Sequence, residues 1–404
     1  MPRSVRAKVK PEILVWARES AGYTLAEATE QLDIAEEKLF AWESGQSAPT
    51  ISQLQGMASA YKRPLSVFYL QVVPRTFSVM RDFRRLPGTG IRHVSPNLAQ
   101  EIRIAQQRRQ LALELMEESV TKVLTFRLSA TLDDDAETLG EGIRHALGIT
   151  HREQKEWRRD RQGYAAFNAW RAAIESLGVL VFQTTRVSEE EVSGFAIANS
   201  TFPVIVINPA NTPPTRRTFS LLHEFIHILL HQSGVSDLEV DAARPPEDQK
   251  VEVFCNRVAA ATLIPKNHLI AEKAVVEHGS GKEDWTDEVI SELARNYSVS
   301  REALVRRLLT FNLVSNSFYE RKRQQYAEEY RQKRQIERER FKKQDEIFFP
   351  NPPRDALTHI GRPLVKMILD SYYRERLSLS DVSGFLGIRT RHVSKLENLV
   401  SSRE

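Results

Sequence analysis

Arg217-Thr-Phe-Ser-Leu-Leu-His-Glu-Phe-Ile-His-Ile-Leu-Leu-His231 decides the fold of the central part of this chain. It places His-Glu-x-x-His inside an apolar run that is typical of a buried helix, with Thr215 expected to cap its N-terminus. Two His four residues apart lie one turn above each other, so His223 and His227 can bind one metal ion. The pattern predicts a Zn²⁺ site in which Glu224 addresses a metal-bound water.

A zinc site of this kind takes a third protein ligand and leaves a fourth position for water. Glu252 is the best downstream candidate, because it opens an apolar helical pattern. Asn256 follows one turn later on the same face and is expected to hydrogen-bond a ligand. His231 is rotated by about 80° from His223 on an ideal helix, so we interpret it as a residue that supports the site or the structure.

Four other carboxylates compete for the role of third ligand. They lie in a polar segment that contains prolines, where a carboxylate is more often merely solvated. They are Glu239, Asp241, Glu247 and Asp248. The apolar neighbours of Glu252 favour that residue over all four.

The complete motif set resembles the ImmA/IrrE family of zinc-dependent endopeptidases. It comprises His223-Glu-Phe-Ile-His-Ile-Leu-Leu-His231, Glu252-x-x-x-Asn256-x-x-Ala259-Ala260 and Leu263-Ile-Pro265, within residues 150–275. The resemblance implies a gluzincin-like active site, with zinc bound by His223, His227 and Glu252 and with Glu224 as the general base. It also implies a protein substrate, since members of the family cleave, or provoke the loss of, a cognate DNA-bound repressor.

Three stretches rich in β-branched residues precede the metal-binding motif. They cover residues 178–183, 192–199 and 203–208 and are separated by turn residues, which predicts a small sheet. A peptide can pair with the edge of such a sheet through main-chain hydrogen bonds, which suits a peptidase. The strands can equally serve only to complete a core, and the sequence leaves both roles open.

The N-terminal segment Thr24–Gly45 resembles an Xre-type helix-turn-helix. Its expected core residues are Ala28, Leu32, Ile34, Leu39 and Trp42. The presumed recognition helix starts Ala35-Glu36-Glu37-Lys38, where Lys38 is the candidate DNA contact but DNA phosphates repel the carboxylates. A module that binds DNA and one that binds protein or dimerises both remain open.

The C-terminal segment Ser378–Glu397 repeats the N-terminal pattern position for position. Leu25, Ala28, Leu32, Ile34, Leu39 and Glu43 correspond to Leu379, Val382, Leu386, Ile388, Val393 and Glu397. The candidate DNA contacts of this second helix-turn-helix are Arg389, Thr390, Arg391, His392 and Lys395. A short, charged, solvated helix is the alternative, but if one module contacts DNA the sequence favours this basic one.

The intervening segments are mostly helical and charged. Residues 98–118 have apolar residues at helical spacing and are expected to form a connector, whereas residues 72–96 are expected to link domains. The segment Phe318–Lys343 interleaves basic residues with aromatic ones, a pattern that can bind nucleic acid. We favour a long, solvent-facing helix with ion pairs, which is the commoner origin of this composition.

Composition agrees with a chain of several domains. The 404 residues exceed what a single core usually organises, and the formal charge of +4 is too small to indicate a partner. The single cysteine, Cys255, excludes internal disulfides, fits a reducing compartment and is expected to be a packing residue. No apolar run approaches the length of a membrane span, so we expect a cytoplasmic protein without membrane partners.

The predicted fold is α+β and mostly helical. It combines a helix-turn-helix bundle, a gluzincin-like metallopeptidase domain with a small sheet, and a C-terminal helical module. The expected boundaries are 1–72 for the Xre-type helix-turn-helix, 73–150 for a helical connector, 151–315 for the metallopeptidase domain, 316–354 for a charged helix and linker, and 355–404 for the C-terminal helix-turn-helix-like module.

Two functions fit these patterns. The first is a DNA-binding transcriptional regulator whose zinc-dependent endopeptidase domain cleaves a partner regulator such as a repressor. The second is an antitoxin or repressor in which the metallopeptidase domain holds a partner such as a toxin with little or no turnover. Either form can be a homodimer.

Overall fold

A computed structural model describes residues 5–74, 81–82, 94–117, 125–160, 162–210, 212–236, 245–279, 285–343 and 351–401. The chain divides into two compact units: Met1–Met80 with Thr89–Arg108, and Arg81–Gly88 with Arg109–Glu404. Most described residues are helical and the strands form one small sheet, as expected for a mostly helical α+β protein. Among the described residues, no helix combines the length and apolar character that a membrane span requires.

The first unit is a bundle of short helices. They are α1 (Pro11–Glu19), α2 (Leu25–Leu32), α3 (Glu36–Glu43), α4 (Ile51–Ala60) and a 3₁₀ turn at Leu65–Tyr69. Thr24 and Thr50 each form a capping box that starts the next helix, because their side chains accept the backbone N–H three residues later. The predicted core is confirmed: Ala28, Leu39 and Trp42 are buried, and Leu32 and Ile34 pack against them.

One longer helix, α5 (Pro96–Glu117), runs across the division between the units, so most of the helix expected over residues 98–118 is present. Most of the interdomain segment expected over residues 72–96 lies outside the described residues.

The helices of the second unit are α6 (Ala136–Leu147), α7 (His151–Glu156), α8 (Tyr164–Ser176), α9 (Pro214–Leu229), α10 (Pro246–Leu263), α11 (Lys266–Ile270), α12 (Lys273–His278), α13 (Asp287–Tyr297), α14 (Arg301–Thr310), α15 (Asn316–Lys343), α16 (Pro352–Ile360), α17 (Arg362–Tyr373), α18 (Leu379–Leu386) and α19 (Val393–Ser401).

The sheet of the second unit contains five strands. They are β1 (Arg81–Asp82), β2 (Leu180–Gln183), β3 (Gly194–Ile197), β4 (Val204–Ile207) and β5 (Gly234–Ser236), in the order β1-β5-β3-β4-β2. Strand β3 is antiparallel to β4 and β5, whereas β2 pairs with β4, and β1 with β5, in parallel. The three predicted strands are confirmed as β2, β3 and β4, and β5 follows the metal-motif helix.

Helices α9 and α10 form the centre of the second unit's core. Helix α9 packs against α8, β3, β4 and α10, so its apolar residues are buried on every side. Helix α6 lies close to α10, because a side chain on Gly140 would come within 2.9 Å of the backbone of Ala261. Cys255 is fully buried in this core, which confirms it as a packing residue.

The charged helix α15 is only partly the solvent-facing helix that its composition predicts. Phe318, Tyr319 and Tyr326 are buried in the same core as α9 and α10, and α15 packs against α14. The Tyr326 hydroxyl donates to Asp287 on α13 at 2.7 Å, and Lys322 forms an ion pair with the same carboxylate at 3.0 Å. Phe318, Tyr319 and Tyr326 therefore serve packing.

The C-terminal helices pack onto the sheet through α16, which contacts β2 and α19. The buried guanidinium of Arg171 on α8 donates to the backbone oxygens of Val181 on β2, at 2.6 Å, and Thr358 on α16, at 3.0 Å. Gly361 follows α16 with a φ of 85°, and a side chain there would come within 2.8 Å of the Val181 oxygen. Only glycine permits so close an approach of the two backbones.

Candidate metal centre

Helix α9 carries the metal motif and begins at Pro214, with Pro213 as its N-cap. The expectation that Thr215 caps this helix was wrong, because Thr215 lies within the first turn. Proline suits the first helical position, since it lacks an N–H that would need a partner and its φ is already helical. From this start the helix continues through the whole His-Glu-x-x-His motif.

The structure brings three buried ligand groups together. The possible ligand atoms of His223, His227 and Glu252 all lie within 4.8 Å of one another. The Nε2 atom of His227 lies 3.1 Å from the Nε2 atom of His223 and 3.1 Å from Oε1 of Glu252, and His223 Nε2 lies 3.4 Å from Glu252 Oε2. Two ligands of a tetrahedral zinc ion with bonds of about 2.0–2.1 Å lie about 3.3 Å apart, so the donor spacing fits zinc.

Asn256 holds the ring of His223 from the side away from the metal site. The side-chain oxygen of Asn256 lies 3.0 Å from Nδ1 of His223, so this nitrogen carries the proton that it donates to the amide. Nε2 is then left with a lone pair that points toward His227 and Glu252, which is the form of imidazole that binds a metal. The supporting role predicted for Asn256 matches this contact.

Glu224 is fully buried beside the ligand group. Both of its carboxylate oxygens are buried, and neither makes a hydrogen bond of good geometry to a described residue. Burial raises the pKa of Glu224 to about 8 and the Glu252 charge adds to this shift, whereas His223 and the nearby Ser236 hydroxyl oppose it. A buried carboxylate so weakly solvated is costly, so this group indicates a site that is completed by a ligand.

The charges of the ligand group support one another. Burial alone would raise the pKa of Glu252, but His223 and His227 hold it well below its usual range. Burial opposes the protonation of His223, yet the neighbouring Glu252 outweighs it and raises the pKa of His223. The buried carboxylate is therefore ionised, as a metal ligand must be.

Two residues of the site have no signal in the sequence. The Ser236 hydroxyl on β5 lies 3.4 Å from Nε2 of His227 and is buried. Gly194 on β3 leaves space for Glu224, because a side chain there would lie 3.3 Å from Oε1 of that carboxylate. Both belong to strands that reach α9 only through the sheet topology, which no local pattern reveals.

The other candidate ligands do not join the site. His231 lies beyond the C-terminus of α9, exposed and with a φ of 54°, and its N–H bonds the Ile228 carbonyl. It ends the helix and does not support the ligands. Glu247 and Asp248 lie in the first turn of α10 and not in a loop, while Glu239 and Asp241 lie outside the described residues.

The candidate DNA contacts fall in two separate stretches of the chain. Lys38 is exposed on α3 and lies 5.5 Å from the ring centre of Trp42. The second set falls on a 3₁₀ turn and on α19: Arg389, Thr390, Arg391 and Lys395 are exposed, and His392 is half-buried.

Two family models match the chain. Residues 174–309 match the IrrE N-terminal-like domain of the Peptidase_M78 family, and residues 14–68 match a helix-turn-helix family. No curated protein and no solved structure matches the chain. The matches confirm the two resemblances found in the sequence. One chain thus combines a helix-turn-helix domain with a domain of a metallopeptidase family.

Proposed function

We propose that this protein is a DNA-binding transcriptional regulator whose central domain is a zinc-dependent endopeptidase acting on a partner regulator protein. The observation that carries this proposal is the position of Glu224, fully buried beside three donor groups whose spacing fits a tetrahedral metal ion. A purely structural metal site uses four protein ligands, whereas a catalytic one has three and a nearby base.

His223, His227 and Glu252 would hold the ion. A zinc ion held there would supply a bound water of lowered pKa and would polarise the scissile carbonyl. Glu224 is the general base, since it is the buried carboxylate at the site that ligates nothing. Its raised pKa reflects burial among the site's own charges, and a nearby dication favours its ionised form. Asn256 keeps the His223 ring in the metal-binding tautomer.

The helix-turn-helix match supports a DNA partner, and that partner implies a cytoplasmic location. The endopeptidase domain supports a protein partner, because a peptidase acts on a polypeptide. The edge of β5 is paired with β1 of the same chain. The outer edge of β2 pairs with no other described strand, but Arg171 already donates to the Val181 oxygen and Gly361 packs against that oxygen, so β2 is not open to an added peptide strand.

An antitoxin-type or repressor-type binding protein is the second candidate function. It is favoured by the presence of helix-turn-helix elements at both ends of the described chain. In that protein the metal centre would stabilise a surface that holds a partner such as a toxin, with little or no turnover.

Metal content is the first test. Mass spectrometry of the purified chain should find about one zinc per chain in the wild type, and the metal should be lost in His223→Ala and in Glu252→Ala. Asp248→Ala is the matched control, because Asp248 lies on the same helix as Glu252 and outside the ligand group. A wild-type protein without metal after zinc-replete expression would exclude the endopeptidase.

Turnover is tested with Glu224→Gln, which keeps the ligands and removes the base. Cells expressing the wild type should contain new protein N-termini, derived from a small set of proteins, that are missing in cells expressing the variant. N-terminal labelling with mass spectrometry measures these cleavage products. Identical N-termini in both cells, with zinc bound in both proteins, would favour the binding protein over the peptidase.

A further inference from the structure

The last three helices of the chain repeat the course of the first three. Helix α17 ends at Tyr373 as α1 ends at Glu19, and six residues later α18 and α2 begin, each eight residues long. The third helical segment then begins after Arg389 in one case and after Ala35 in the other. All these points are related by one constant offset along the sequence.

The way in which the second helix of each module begins and ends is also repeated. Thr24 and Ser378 each donate their backbone N–H at 2.8 Å to the acidic side chain three residues later. Asp33 and Gly387 end their helices in the left-handed region, with φ values of 51° and 64°.

The residues after the turn agree as well. Ile34 donates to the backbone oxygen of Thr29 at 3.1 Å, and Ile388 to that of Ser383 at 3.2 Å. Ala35 and Arg389 then have nearly equal backbone angles, with ψ at 146° in both. The C-terminal segment is therefore a helix-turn-helix by its own geometry.

The C-terminal helices are packed together as a folded module. Its buried apolar residues are Leu364, Val365, Ile368, Leu369, Val382, Leu386, Ile388, Val393 and Leu396. The Arg362 guanidinium donates to the backbone oxygen of Val400 at 2.5 Å, and the Tyr373 hydroxyl hydrogen-bonds Glu397. Glu43 occupies the equivalent position in the first unit and pairs with Arg18 on α1 at 2.8 Å. In both cases this glutamate ties the third helix to the first.

The two modules differ in what their third helical segment exposes. The segment Arg389–Lys395 carries three exposed cations and no acidic residue. The equivalent segment in the first unit, Ala35–Ala41, exposes Glu36 and Glu37 beside a single cation, together with a Phe40 that is 55% exposed. Phosphate oxygens repel that acidic surface and attract the basic one.

We propose that the C-terminal helix-turn-helix, residues 362–401, binds duplex DNA by placing Arg389, Thr390 and Arg391 in the major groove and Lys395 on the phosphate backbone, and that it is the module through which this chain reads DNA. This inference rests on the proposed DNA-binding function and assigns it to a segment that neither family match covers.

The placement of these side chains fits the docking of a recognition helix. In such a helix the residues at and near the N-terminus reach base edges, and Arg389, Thr390 and Arg391 occupy that end. Arginine offers two donors to guanine, and threonine contacts either a base or a phosphate. Lys395 lies about one turn further on, where a cation contacts the phosphate backbone.

The test uses the full-length zinc-replete protein and a library of random-sequence duplexes. Repeated selection should enrich one sequence motif. For that motif, R389Q/R391Q/K395Q should bind at least 100-fold more weakly than the wild type. The slope of log affinity against log salt should become shallower by about 1, because the phosphate contact of Lys395 is lost and each such contact contributes about 0.9. Lys38→Gln on α3 is the matched control and should change the affinity less than twofold.

Fold and specificity are separated with R389K/R391K. Its charge is unchanged and the altered side chains are exposed, so non-specific binding should persist while the preference for the selected motif falls at least tenfold. Wild-type affinity in the triple variant, with a loss in Lys38→Gln, would overturn this inference and assign DNA to the N-terminal module. If the wild type enriches no duplex at any salt concentration, both this inference and the DNA-binding part of the proposed function fail.

Discussion

The Nδ1 atom of His223 lies 3.0 Å from the side-chain oxygen of Asn256, one helical turn beyond Glu252 on α10. Helix α10 thus provides the third candidate ligand and also fixes the ring of the first. The orientation of the metal centre depends on the packing of α9 against α10.

Asn256→Ala should weaken zinc binding by about 10–100-fold, because the His223 ring loses the partner that fixes its tautomer and orientation. Competition with a chelator of known affinity measures the change. Asn267→Ala is the control, since that amide bonds Glu141 on the exposed surface and no metal ligand. Equal zinc affinity in Asn256→Ala and the wild type would show that packing alone orients the ring.

Gly140→Ala should destabilise the second unit by about 1–3 kcal/mol, since the new methyl group meets the Ala261 backbone at 2.9 Å between α6 and α10. Gly142 lies on the same helix, and a methyl group there would meet no atom within 4 Å. Gly142→Ala should therefore stabilise the unit by up to about 1 kcal/mol, because alanine has the higher helix propensity. Urea denaturation of both variants gives the free energies of unfolding. If Gly140→Ala changes the free energy of unfolding no more than Gly142→Ala does, α6 can shift away from α10.

Glu272 should contribute stability that disappears in acid. Hydrogen bonding to His151 and the ion pair with Lys155, at 2.7 Å, lower the pKa of Glu272 to about 2 from its ordinary 4.5. Because the folded-state pKa is the lower one, the contribution is complete above about pH 4.5 and is lost as the pH falls toward 2.

Glu272→Gln should accordingly be less stable than the wild type at pH 7, and the difference should shrink at pH 3. Thermal unfolding at both values measures it. Lys155 is partly exposed, so added salt should also reduce the difference at pH 7. A difference that stays constant from pH 7 to pH 3 would show that the lost contact is packing and not charge.

Arg171→Ala should detach α16 from the sheet. It removes the donor to Val181 and Thr358 and leaves Glu175, whose carboxylate Arg171 binds at 3.0 Å, buried without this partner. Breaking a buried ion pair in this way costs about 3–5 kcal/mol.

Hydrogen exchange in α16 and α17 should therefore rise in Arg171→Ala, while α9 keeps its protection. Glu175→Gln is the milder control, because it keeps the arginine and its bonds to the two carbonyls. Unchanged exchange in α16 would mean that Gly361 and the apolar contacts suffice to hold the helix on β2.

The ligand group was predictable because helical periodicity places His223, His227 and Glu224 on one buried helix, and the apolar context of Glu252 distinguished it from its competitors. Ser236 and Gly194 were not predictable, since short strands meet α9 only through non-local pairing. His231 lies outside the helix because α9 ends at Leu229, two residues before it. Tyr319 and Tyr326 are buried by α13 and α14, which their own segment cannot indicate.

The bonds of Arg171 to β2 and α16 join the basic C-terminal helices to the sheet beside the metal centre, within one compact unit. Zinc at the metal centre and duplex DNA on the C-terminal helices, both as proposed above, would therefore be two ligands of one thermodynamic cycle. Whatever factor zinc changes in the affinity for DNA, DNA must change in the affinity for zinc. Any such factor other than one would make the occupancy of a DNA site depend on the free zinc concentration, and the zinc occupancy depend on DNA.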